Sequence, residues 1–385
     1  MDKRKQVKIH NKSNKPDNIV NKEHEIIFKS EEIEDQLPSF LRGYFRYIES
    51  KVLPMSRLAY LKDVSFFCDY LIAETALTNA TTKKDLKQKD FQKITAVDVN
   101  MFLDYCRKYK KEIKDTIYIY ENNNITLSRK KASISVLFKE LYREGIVEKN
   151  ITDGFVPIRT IKAQEREIKA LQDNEVMIML DSVTTGEGLT DKEKTYWQKT
   201  KLRDKAILIM FLTYGLRLSE LQQLNVSSFN FSRGEFLIYR KRGKESTMPL
   251  NKSVTMVIDE YIKLERKQED LLTEENKDAL FLSLQGRRMT ERQIRELVKK
   301  YTSIGMKTSR NGGYSPHKLR ATAATSLIGR GNSIYDVAAL LDHEQVTTTQ
   351  LYAAHKMNVK RDLVKDMEWE VERTEGFDPN DKYEE

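Results

Sequence analysis

The stretch "SPHKLRATAATSLIGRGNSIYDVAALLDHEQVTTTQLY", Ser315–Tyr352, reads as three short helices in succession. Ser315 suits a helix cap, Pro316 suits the first helical position, and Gly329 and Gly331 close the helix they open. Ser333 caps a second helix, "SIYDVAALLD", which ends at His343. The threonines of "QVTTTQLYAAH" suit the start of a third, and Tyr352 lies within it. His317 and Arg320 are three apart, so they share one face at the positive end of the first helix, while Leu319, Ala323 and Leu327 turn to the core. An imidazole, a guanidinium and free backbone amides around one point make a phosphate site. Taken singly these residues are ordinary: a His-x-x-Arg pair is common on surfaces, and a helical tyrosine is more often core than catalyst. A phenol, with a reference pKa of about 10, attacks poorly until donors stabilise its anion.

Working back along the chain, "TYGLRLSEL" puts Arg217 between the end of an apolar helix and the start of another, with Glu220 three residues on to fix the guanidinium. The period then switches. "EFLIYRKRGKESTMPL" reads as two strands around a basic turn, with Lys241 at its tip and Arg240, Arg242 and Lys244 beside it, a device for reaching a DNA groove or a set of solvated turn cations. Helical spacing resumes at "SVTMVIDEYIKLERKQ" and "MTERQIRELVKKYTSIG". This larger domain runs over 170–365, opens with "QDNEVMIMLDSV" capped by Asp173 or Asn174, and carries a polar insertion, "TTGEGLTDKEKTYWQKTK".

Residues 37–149 read as a smaller helical domain. Thr95 caps "ITAVDVNMFLDYCRKYKKE" with Asp98 at the third helical position. In "LSRKKASISVLFKELYREG", Ile134, Leu137, Phe138 and Leu141 form one stripe and Gly145 ends it. Arg129, Lys130 and Lys131 crowd the first turn of that helix, against its dipole, which calls for an outside anion such as DNA or leaves them solvated. "DTIYIYENNNI" is rich in β-formers and reads as a short ribbon or ordered loop. Residues 1–36 read as a flexible basic arm, 150–169 as a linker around Pro157, and 366–385 as an acidic tail.

The formal charge of +9 hides an asymmetry, because the tail holds nine acidic and two basic residues and leaves +16 on the remainder. That excess suits a polyanion, nucleic acid first. Cys68 and Cys106 fall in apolar helical patterns and read as buried thiols, without disulfide or zinc spacing. With no signal peptide or apolar run of membrane length, the expected location is cytoplasmic.

Arg217, then Lys241, then His317-x-x-Arg320, then His343 and Tyr352, with the local text "YGLRLSEL", "KESTMPL", "PHKLR" and "TTTQLY", resembles the tyrosine recombinase, or phage integrase, family. Within it the chain looks most like the Xer type, and among those the single-protein XerS-like recombinases. Two positions depart from the family pattern: Asp342 stands where Gly is usual, and Ala321 where His is frequent.

The resemblance implies a mainly α fold with a small antiparallel sheet, built as a SAM-like core-DNA-binding domain and a catalytic domain. It implies that Tyr352 cleaves DNA through a 3′-phosphotyrosine link, with Arg217 and Arg320 on the phosphate, Lys241 as general acid, His317 on the tyrosine proton and His343 as a donor. Its partners would be a double-stranded target site, a homotetramer on two duplexes, and an accessory protein such as a DNA translocase. No cofactor, metal or membrane is expected. The Xer type implies chromosome-dimer resolution; the alternatives are an integrase or excisionase of a mobile element, a type IB topoisomerase, and a non-catalytic architectural DNA-binding protein.

Overall fold

A computed structural model describes residues 15–113, 115–160, 168–240, 243–343 and 349–350. The chain divides into two compact units: among the described residues, those up to 160 together with Gly243 and Lys244 form one, and 168–240 with those from Glu245 onward form the other. Both are mainly helical, and each carries a small antiparallel sheet, as the sequence pattern anticipates.

The first unit contains α1 (Asp17–Glu34), α2 (Arg42–Lys51), α3 (Pro54–Glu74), the short α4 (Gln88–Gln92), α5 (Ala96–Arg107), a ribbon of β1 (Lys108–Ile113) and β2 (Thr116–Glu121), and α6 (Asn124–Arg143). Its core is aromatic: Phe67 of α3 meets Phe91, Phe102 and Phe138 edge-on, at 4.9–6.5 Å between ring centres. The expected cap of α5 is present, with Asp98 accepting from both the backbone and the hydroxyl of Thr95 at 2.7 Å. Gly145 takes φ +70° just beyond α6, a conformation that favours glycine. The ribbon pairs Lys108 with Glu121 and Ile113 with Thr116, and Tyr109 stacks between Tyr105 and Tyr120.

Two expectations for this unit need correction. Residues 17–34 are not a flexible arm but a helix packed on α3, because Ile19 and Val20 are buried and Arg57 grips Glu34 through Nε (3.1 Å) and Nη2 (2.8 Å). Residues 150–160 are not a free linker. Asn150 caps a 3-10 turn, Phe155 is buried in the aromatic core, and Asn100 accepts from the Val156 amide at 2.9 Å.

The second unit contains α7 (Asp173–Thr185), α8 (Asp191–Trp197), α9 (Lys201–Tyr214), α10 (Leu218–Gln222), β3 (Phe229–Asn230), β4 (Glu235–Tyr239), β5 (Glu245–Pro249), α11 (Lys252–Leu264), α12 (Glu291–Gly305), α13 (Pro316–Gly329) and α14 (Ile334–Leu341). α9 is its axis. Ala206, Ile207, Leu208, Met210, Phe211 and Tyr214 are buried against α7, α11 and α13. Tyr214 also ties the helix end to the sheet by donating to the Pro249 carbonyl at 2.7 Å. The strands run in the order β3–β4–β5, with Glu235 opposite Pro249 and Tyr239 opposite Glu245. The polar insertion folds as α8, clamped by a forked contact from Arg310 to Glu193 at 3.1 and 2.8 Å.

Candidate functional site

The site begins where α9 stops. Gly215 takes φ +56°, and a Cβ there would lie 2.5 Å from the Leu341 side chain, so both the turn and the close approach require glycine. Two residues later Arg217 stands at the cap of α10. Glu220, itself buried, accepts from the Arg217 amide at 2.8 Å and from its Nη1 at 2.7 Å, which fixes backbone and guanidinium together.

α13 opens on Ser315 and Pro316, as expected. Arg320, one turn in, is 4% exposed and donates from Nη1 to the Gly215 carbonyl at 2.6 Å and from Nη2 to the Leu341 carbonyl at 2.5 Å. Arg217 donates from Nη2 to the next carbonyl, Asp342, at 3.1 Å. The two guanidiniums thus meet at the carboxyl end of α14, whose last carbonyls have no partner within the helix and carry the negative end of its dipole. Asp342 leaves that helix at φ 52°, ψ 53°. This is the left-handed region where the family's usual glycine sits at no cost and which Asp, among L residues, tolerates comparatively well. The departure therefore keeps the turn. Ala321 is buried with Ala324, Ile328, Val337 and Leu341 in a small cluster behind the site.

His343 follows. Its amide donates to the Ala338 carbonyl at 3.0 Å, and its Nδ1 lies 2.8 Å from the Thr349 hydroxyl. Burial, then the charges of Arg320 and Arg217, pull its pKa down to about 4, so the ring is neutral near pH 7. His317 lies at the exposed opening of α13, and its pKa is lowered by partial desolvation and by the Lys318 and Arg320 charges. It is near enough to His343 to act on that ring's titration. The structure therefore gathers Arg217, His317, Arg320 and His343. Lys241 and Tyr352 lie outside the described residues, as does Arg242.

The other basic candidates separate. Lys244 is exposed. Arg240 is not a surface cation: it is 5% exposed and donates from Nη2 to the Leu340 carbonyl at 2.9 Å. Sequence reading missed this, although the alternation that buries Phe236 and Ile238 continues to position 240. The three cations of α6 also need correction. The helix starts earlier than expected, with Asn123 accepting from the Thr126 amide at 3.0 Å, so they sit in its second turn. Their anion comes from inside. Buried Asp63 accepts from Arg129, from Lys130 at 3.2 Å and from Ser133 at 2.8 Å. Lys131 donates to the Phe155 and Val156 carbonyls at 3.1 and 2.9 Å.

Residues 160–358 match the family model described as "Phage integrase family". The chain is 28% identical over 326 residues to tyrosine recombinase XerC of Oceanobacillus iheyensis, covering 83% of this chain and 92% of that one. It is 29% identical over 293 residues to tyrosine recombinase XerD of Staphylococcus epidermidis, covering 74% and 91%. Its fold is similar to that of the XerH site-specific recombinase in a post-cleavage complex with palindromic difH substrate, with a TM-score of 0.57, 16% identity, and coverage of 94% and 92%. With a family match spanning more than half of the sequence, and four of the six expected side chains gathered around one helix end, the chain belongs to the phage integrase family, the tyrosine recombinases.

Proposed function

We propose that this chain is a site-specific DNA recombinase of the Xer type that cuts and rejoins DNA through Tyr352. The observation that carries this is the convergence of Arg217 and Arg320 on two consecutive carbonyls, Leu341 and Asp342, directly before His343. Two preset guanidiniums beside a helix end suit a phosphodiester whose charge grows as phosphorus becomes five-coordinate. In the cleavage step the Tyr352 oxygen bonds to phosphorus as the bond to O5′ breaks. His317 takes the phenol proton, and Lys241 gives one to the departing O5′. His343 is neutral at working pH, and in the tautomer whose Nδ1 accepts from the Thr349 hydroxyl, 2.8 Å away, its Nε2–H donates to the phosphate. The phosphotyrosine link keeps the bond energy, and the free 5′-hydroxyl of another strand reverses the step.

Four protomers would hold two duplexes, and an accessory protein such as a translocase would switch the reaction on. The Xer names of the relatives favour chromosome-dimer resolution over movement of a mobile element. The test is recovery of DNA held covalently on the protein in cells. Recovery at one chromosomal site is expected, and recovery at element ends would mean integration. Loss of the adduct in Tyr352→Phe is expected, and an adduct that survives this change would refute the assigned nucleophile.

A further inference from the structure

Arg240 has no part in the mechanism above, yet its setting is unusual. Among the described residues no carboxylate pairs with it directly. Its Nη2 meets the Leu340 carbonyl at 2.9 Å and the Met248 sulfur at 3.4 Å, and its buried Nε has no hydrogen-bond acceptor. A buried guanidinium without a paired anion is unfavourable, and a methionine would fill the same space at less cost. Packing alone does not account for it.

What Arg240 completes is a series. The carbonyls of Leu340, Leu341 and Asp342 receive Arg240, Arg320 and Arg217 in that order. These are the last carbonyls of α14 and its cap, and their negative dipole end offsets part of the three positive charges. Arg240 is also the residue immediately before Lys241, so a displacement of its backbone passes to the lysine through a single peptide unit.

We infer that Arg240 is a positioning residue for strand cleavage: its bond to Leu340 fixes the strand end that leads into Lys241 against the end of α14. This rests on the recombinase reading and adds to it a residue that acts through Lys241.

The test uses full-length protein and a nicked duplex of the recovered target sequence, made with either oxygen or sulfur at the bridging 5′ position. A thiolate leaves without being protonated, so the sulfur duplex does not need Lys241. Arg240→Met is expected to slow cleavage of the oxygen duplex by on the order of 10- to 100-fold, the effect of a donor displaced by about an ångström, and to cut the sulfur duplex at close to the wild-type rate. Equal losses on both duplexes, or no loss on either, would overturn the inference. Thermal melting is expected to show Arg240→Met no less stable than wild type. Should it fail to fold, Arg240→Lys, which keeps a donor, is run on the same two duplexes. A loss confined to oxygen supports the inference, and equal rates or equal losses overturn it. Failure of wild type to form any adduct would instead remove the recombinase reading, and this inference with it.

Discussion

The first unit and the candidate site of the second both bury arginines or lysines, and they neutralise them in different ways. In the first unit a carboxylate does it: Asp63 takes Arg129 and Lys130, and Glu34 takes Arg57. At the site, Arg320 and Arg240 are held by backbone carbonyls, and Arg217 by a carbonyl together with the carboxylates of Glu220 at 2.7 Å and Asp342 at 3.9 Å. A carbonyl positions a guanidinium without cancelling its charge. The first arrangement closes an ion pair and builds a scaffold. The second leaves net positive charge, fixed in place, for an anion to meet. Counting basic residues in the sequence does not separate the two; their partners do.

The contrast can be broken at either end. The largest effect is expected from Asp63→Ala, which leaves Lys130 buried without its anion and should cost about 3–5 kcal/mol of stability. Urea denaturation measures this, and cleavage by the fraction still folded should be unchanged. A loss of cleavage by folded protein would erase the distinction between scaffold and site. Next comes Arg320→Lys, which removes the fork on Gly215 and Leu341. Adduct formation should fall by about 10²–10³-fold, as when a preset donor to the transition state is lost. A rate within a few-fold of wild type would place Arg320 with the scaffold. Gly215→Ala should cost about 1–3 kcal/mol from strain at φ +56°, before any clash with Leu341, and its melting point reports it.

The smallest effect is a pH dependence. His343 has its pKa lowered from 6.5 to about 4, so the unfolded chain binds the proton more tightly than the folded one. Stability carried by the neutral ring is therefore full above 6.5 and is lost as pH falls through the window down to about 4. Melting wild type and His343→Asn side by side should show a shallower slope in the variant over that window. Identical slopes would mean that the ring is not held neutral by its surroundings.

Much of this was legible in the sequence where the signal is local. The Thr95–Asp98 cap, the glycine after α6, the Ser315-Pro316 opening of α13 and the strands around Lys241 depend on neighbours a few residues apart. What escaped depends on distance. Asp63 meets Arg129 from sixty-six residues away, and nothing near either residue announces the pairing. α1 has too few apolar residues to proclaim a core face, and its anchor is an ion pair to α3. Of the site, the order of residue types was readable and four of them are found together. The carboxylate partner of Arg217, Glu220 three residues on, was readable too. The carbonyl partners of Arg217 and Arg320 were not, because backbone carbonyls leave no trace in residue identity.

The β1–β2 ribbon bears on how the protein behaves in the test tube. Ile117, Tyr118, Ile119 and Tyr120 are all exposed and uncharged, in a run that strongly favours extended chain, with Asp115 and Glu121 flanking it. Such a run invites edge-to-edge self-association, and charged flanks are the usual guard against it. Losing either acidic residue should therefore show first as poor solubility on concentration, before any change in enzyme rate.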